Sequence, residues 1–130
     1  ERRVVSRRDY DNPQPQEPVQ YSWFRVSGEV GEDPRRHQVL LAFMSDFALL
    51  GASLLPHPYT AQSPGMQVAS LDHALWFHRP ARTDEYLLYA MDSPNASGGR
   101  GFCRGQFFTR DGQLVASTAQ EALIRRREEG

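Results

Sequence analysis

The sequence predicts an α+β domain in which an antiparallel sheet curls around one long helix. Three observations predict it. A single extended apolar stretch, Val39 to Leu55, carries a helix start signal before it (Asp33-Pro34) and stop signals after it (Pro56, Pro58). Short runs rich in aromatic and β-branched residues lie on either side of that stretch. Near the C-terminal end, Asp111-Gly112 separates two such runs, a strong short-range hairpin signal because both residues tolerate positive φ.

Taken in order, residues 1–18 are rich in Arg, Asp, Gln and Pro and read as a linker or arm, which leaves 19–130 as the folded domain. Tyr21 to Ser27 is the first strand, and Gly28 to Asp33 breaks it. Asp33 as N-cap and Pro34 at the first helical position open the helix. After a loop from His57 to Gly65, Met66 to His78 reads as one long strand and Glu85 to Asp92 as another. Ser93 to Gly101 is a turn or a heavily bulged hairpin, given its Gly and Ser content. Phe102 to Thr109 and Leu114 to Ile124 form the closing hairpin. A helix apolar on nearly every face must be wrapped, and a curved antiparallel sheet does this with the least chain. That is the hotdog arrangement.

At 130 residues, 39% hydrophobic and 24% charged, the chain fits one globular domain. A net charge of -1 gives no basic excess of the kind a phosphate-binding surface needs, so nucleic acid is set aside as a partner. The one cysteine, Cys103, cannot form an internal disulfide, and four scattered histidines offer no zinc-ligand spacing; neither a metal nor a cofactor is expected. Val39 to Leu55 falls short of the ~20 residues a bilayer span needs and carries Asp46, so no membrane insertion is expected. The chain opens on Glu1 with no signal or transit segment, which leads to the expectation of a cytoplasmic fragment or processed product.

Two residues stand out chemically. Asp46 is the only charged side chain between Val39 and Leu55, and a buried, unpaired carboxylate costs several kcal/mol unless it is paired, protonated or used. It is either functional or placed at the helix's one wet edge. Gln120 falls in an alternating row with Leu114, Ala116, Thr118, Ala122 and Ile124, which puts a primary amide in a mostly apolar face where it needs a partner. A half-exposed face or a bulge would explain it equally. Ser70 shares parity with Val68, Asp72, Ala74 and Trp76 and by itself is an ordinary strand serine. Ser45, Asp46 and His57 do not make a nucleophilic triad, because no Gly-x-Ser-x-Gly elbow surrounds Ser45. His73 and His78 fall on opposite faces of one strand, wrong for sharing a metal. Nothing beside Cys103 would activate its thiol.

The segments Ser45-Asp46-Phe47, Ser70 through Pro80 (SLDHALWFHRP), Asp84 through Tyr89, Ser97 through Gly101, and Thr109-Arg110-Asp111-Gly112 on to Ala119-Gln120-Glu121 resemble, in order and spacing, the type II (TesB-like) acyl-CoA thioesterases. The resemblance covers roughly Gln20 to Arg125 and is to the second of two tandem hotdog domains. It implies hydrolysis of acyl-CoA to fatty acid and CoA, with Asp46, Ser70 and Gln120 as catalytic residues. Asp46 would deprotonate a water that Ser70 and Gln120 hold in line with the thioester carbonyl. Where some members carry Thr, this chain has Ser70, which keeps the hydroxyl. The implied partners are an acyl-CoA substrate and a second hotdog domain, as a covalent first half, a separate chain or another copy. A hotdog dehydratase would need a His beside an acid, and no such pair is evident. A non-catalytic acyl-CoA-binding or structural domain is the rival reading.

Overall fold

The helix opens where its local chemistry demands. Asp33 has extended backbone and its carboxylate accepts the Arg35 amide at 3.0 Å, while Pro34 occupies the first turn, where its missing N–H is not needed. In the computed structural model, which describes residues 1–128, this helix, α1, runs Pro34–Asp46. It is shorter than expected. Phe47 turns extended, Ala48 sits at φ 68, and the chain continues as a 3₁₀ segment, Leu49–Leu54. The break is held from outside the helix: the Gln20 side-chain amide donates to Ala48 O at 2.6 Å. By length and composition alone Pro34–Leu54 passes for a membrane-crossing helix, but this break interrupts the continuous backbone ladder that such a span requires.

Seven strands form one antiparallel sheet: β1 (Arg2–Val4), β2 (Val19–Phe24), β3 (Met66–Ser70), β4 (Ala74–Phe77), β5 (Leu87–Ser97), β6 (Arg100–Phe108) and β7 (Leu114–Arg126), in the order β1-β2-β5-β6-β7, with β3 and β4 both on the far side of β7. The presumed arm therefore contributes a strand, since Arg2 to Val4 pair with Phe24 to Ser22. The β5–β6 hairpin takes the bulged form. Gly98 and Gly99 turn it at φ 59 and 73, and the register slips between Asp92 and Asn95, where Pro94 is accommodated. Gly112, at φ 90, turns the last hairpin.

One face of the sheet curls around α1 and the 3₁₀ segment. Alternation carries Leu87, Tyr89 and Met91 from β5, Cys103 and Phe107 from β6, and Ala116, Thr118, Gln120 and Ala122 from β7 into the interior, where Leu41, Met44, Leu49 and Ala52 meet them. Burial pushes the Cys103 thiol above its ordinary value, in keeping with an inert core cysteine. The helix is not wrapped on all sides. Val39, Phe43 and Phe47 lie four residues apart along one stripe and are 69%, 67% and 53% exposed.

The segment from Met66 to His78 differs most from expectation, because it is two strands. Ser70 pairs with Ala122 and Ala74 with Ala119, so Leu71, Asp72 and His73 stand opposite Gln120 and Glu121 alone. That is a β-bulge, one residue in excess. It is pinned from both sides: the Leu71 amide donates to Glu121 O at 3.0 Å, and Asp72 Oδ1 accepts the Glu121 amide at 2.5 Å.

Candidate active site

The bulge decides which side chains reach the interior. Residues paired across antiparallel strands share a face, so the partners of the buried Gln120 row are Val68 and Ser70 on β3 but Leu75 and Phe77 on β4. Parity switches within Leu71-Asp72-His73. Ser70 therefore does not share a face with Ala74 and Trp76, and His73 joins Ser70 on the helix side of the sheet. This placement brings the end of α1, the bulge and the middle of β7 together at the sheet edge.

Two of the three expected residues meet directly. The Ser70 hydroxyl donates to Asp46 Oδ1 at 2.8 Å. Both side chains are exposed, so of the two placements open to Asp46 the chain takes the helix's wet edge rather than a costly burial. The helix break makes Asp46 the last residue of α1 rather than the middle of an apolar helix, and the sheet edge beside it is open.

Gln120 is 1% exposed and touches neither of them. Its Oε1 accepts from His73 Nδ1 at 2.6 Å, and His73 Nε2 lies 2.7 Å from the Ser45 hydroxyl. Gln120 thus reaches Asp46 through His73 and Ser45, the residue before Asp46. Its amide nitrogen is buried without a partner among the described residues, a state that costs roughly 1–3 kcal/mol unless an acceptor is supplied from outside.

A second string of polar groups anchors the same helix end. The Tyr89 hydroxyl donates to Ser45 O at 2.7 Å and lies 2.7 Å from Thr118 Oγ1. Because α1 stops at Asp46, Ser45 O lacks a helical amide of its own, and Tyr89 serves it instead. Burial pushes the ionisation of Tyr89 well above the ordinary tyrosine range. Only glycine fits at position 105, since a Cβ there would overlap the Tyr89 ring and the Thr118 hydroxyl.

His73 and Ser45 are the residues that sequence reasoning passed over. Alternation through an unbroken strand separates His73 from Ser70, and only the register with β7 reveals the extra residue. His57, by contrast, lines a separate surface hollow with Tyr59 and Arg126. His78 faces Ser117 on the outer side of β7.

The family described as acyl-CoA thioesterase matches this chain over residues 3–123. Acyl-CoA thioesterase 2 of Haemophilus influenzae is 49% identical over 106 residues, covering 82% of this chain and 37% of that protein. Human acyl-coenzyme A thioesterase 8 is 44% identical over 110 residues, covering 84% and 34% respectively. The crystal structure of an acyl-CoA thioesterase II, TesB2, from Mycobacterium marinum superposes with a TM-score of 0.84 at 44% identity, over 98% of this chain and 49% of that one. The chain spans little more than a third of the length of the two matched enzymes and about half that of the mycobacterial chain. The fold is the hotdog fold.

Proposed function

Because this chain belongs to the acyl-CoA thioesterase family, we propose that it hydrolyses acyl-CoA to fatty acid and CoA with a water activated by Asp46. The observation that carries the reading is the 2.8 Å hydrogen bond between Ser70 and Asp46 at an open sheet edge. Ser70 spends its proton on Oδ1. Oδ2 then remains to take a proton from water, and the Ser70 oxygen lone pairs can receive the water's other hydrogen. Held in this way, the water attacks the thioester carbonyl, and collapse of the tetrahedral intermediate expels a thiolate, a leaving group that needs little acid assistance. Neither ring nitrogen of His73 is free for proton transfer at a substrate carbon, which disfavours dehydratase chemistry.

The site is completed by a second hotdog domain. Two features of this chain ask for one: the bare stripe Val39, Phe43 and Phe47 on the helix, and the outer edge of β3 and β4, which has no neighbouring strand among the described residues. The greater length of the relatives supports the same conclusion.

The test is thiol release from a medium- or long-chain acyl-CoA by the parent protein beside Asp46→Asn. Removing the base is expected to lower turnover by a factor on the order of 10²–10⁴ while acyl-CoA binding persists. Equal turnover by both would remove Asp46 from the mechanism. Binding without turnover by the parent, when supplied with its second domain, would favour the non-catalytic reading.

A further inference from the structure

His73 has no role in the chemistry proposed above, yet among the described residues it is the side chain hydrogen-bonded to both Ser45, in the last turn of α1, and Gln120. We propose that His73 is a positioning residue, held as the Nδ1–H tautomer, whose task is to fix the Gln120 amide with its N–H groups toward the reacting water. The inference rests on the thioesterase reading and deepens it.

Gln120 Oε1, 2.6 Å from His73 Nδ1, can only accept, so Nδ1 must carry the proton. A neutral ring then has a bare Nε2, and the group in reach to satisfy it is the Ser45 hydroxyl at 2.7 Å. Ser45 has one proton and a second acceptor, Ala42 O, also at 2.7 Å. The carbonyl belongs to the helix backbone and does not depend on that proton, whereas the imidazole nitrogen does. We place that proton on His73, which makes Nε2 an acceptor; a Ser45 hydroxyl that donates to Ala42 O instead would require Nε2 to carry a proton of its own. Anchoring Oε1 leaves Gln120 Nε2 as the end of the amide with no partner among the described residues.

That polarity is what the proposed attack needs. A water about to attack uses both hydrogens, one toward Asp46 and one toward Ser70, and one lone pair toward the carbonyl carbon. Its remaining lone pair can only be steadied by a donor. An amide turned the other way would present a third acceptor to a water with no hydrogen left to give. Gln120 alone does not choose between its two orientations, since its oxygen and nitrogen ends are nearly the same size. His73 makes the choice. The bulge makes His73 available, because without the extra residue at Leu71-Asp72-His73 the ring and Ser70 would lie on opposite faces.

Nitrogen NMR of the ¹⁵N-histidine-labelled complete protein near neutral pH tests the tautomer directly and needs no activity. Protonated Nδ1 with bare Nε2 at His73 is expected; protonated Nε2, alone or with Nδ1, would overturn the proposal. Kinetics supply the second arm. In His73→Asn the side-chain amide stands in for the Nδ1–H donor, whereas His73→Leu has no donor. His73→Leu is expected to lose about 10- to 100-fold in kcat with KM little changed, the size of effect that removing an outer-shell partner has in other sites, and His73→Asn to recover most of it. Equal losses in the two variants, or a loss confined to KM, would count against orientation of Gln120 as the cause. If the parent shows no thioesterase activity at all, the functional reading fails, while the NMR result still decides the polarity of the network.

Discussion

Tyr89→Phe deletes one oxygen from the core and can be followed through to a number. The hydroxyl is fully buried and serves Ser45 O and Thr118 Oγ1, each at 2.7 Å. Phenylalanine fills the same space, so the cost is that of leaving the Ser45 carbonyl unserved, about 1–3 kcal/mol near neutral pH. For a chain of this length that corresponds to a fall in Tm of roughly 3–12 °C. The penalty depends on pH. The folded state holds the Tyr89 proton more tightly than the unfolded chain does, so the stabilisation is complete below the ordinary tyrosine value, about 10. Above it the unfolded state releases its proton while the folded state keeps it, and stability falls as pH rises. At pH 11 this amounts to a loss on the order of 1 kcal/mol by the parent and not by the variant. Urea titrations of both proteins at pH 8 and pH 11 should show the gap between them narrowing by that amount. A gap that stays constant would mean that Tyr89 ionises as freely in the folded chain as in the unfolded one, and the buried string would have to be abandoned.

Other substitutions separate chemistry from packing. Ser70→Ala should reduce kcat by about tenfold or more, because Asp46 and the water both lose a partner, while Ser70→Thr retains the hydroxyl and most of the rate; steady-state kinetics on one acyl-CoA distinguishes them. Gly105→Ala forces a methyl group into the Tyr89 ring and Thr118, and a loss of roughly 1–3 kcal/mol in urea denaturation is expected from overpacking. Phe43→Asp, on the bare stripe of α1, should leave the fold of this chain unchanged by circular dichroism but weaken its association with a second hotdog domain in sedimentation.

How much of this was legible in the sequence follows from how local each cause is. The start of α1 is set by Asp33 and Pro34 acting on their own neighbours, and it lies where expected. The Gln120 row is set by strict alternation along β7, and the burial of Gln120 decides for the interior over the half-exposed face that the sequence left equally open. The end of α1 was not legible, because Ala48 adopts φ 68 under a hydrogen bond from Gln20, a residue in a strand distant in sequence. That contact decides between the two placements left open for Asp46, which ends a helix at an exposed edge instead of lying buried within one. Asp46 drew notice in the sequence because a lone carboxylate in an apolar stretch calls for a reason, whether that reason is a wet edge or use.

The bulge is the harder case, and it shows what a single strand cannot reveal about itself. Alternation from Met66 to His78 gives Ser70 one face and His73 the other. Ala and Leu blur the period of that segment, and the residue that decides its register is Asp72, whose carboxylate accepts the Glu121 amide from the opposite strand. A strand carboxylate that bonds across to a backbone amide takes the place of a ladder partner, so the residue beside it can be skipped in the count. Register belongs to a pair of strands and only then to either one. Here it brings two side chains that alternation puts on opposite faces to one side of the sheet: Ser70 was proposed from the family resemblance alone, and His73 beside it required the fold.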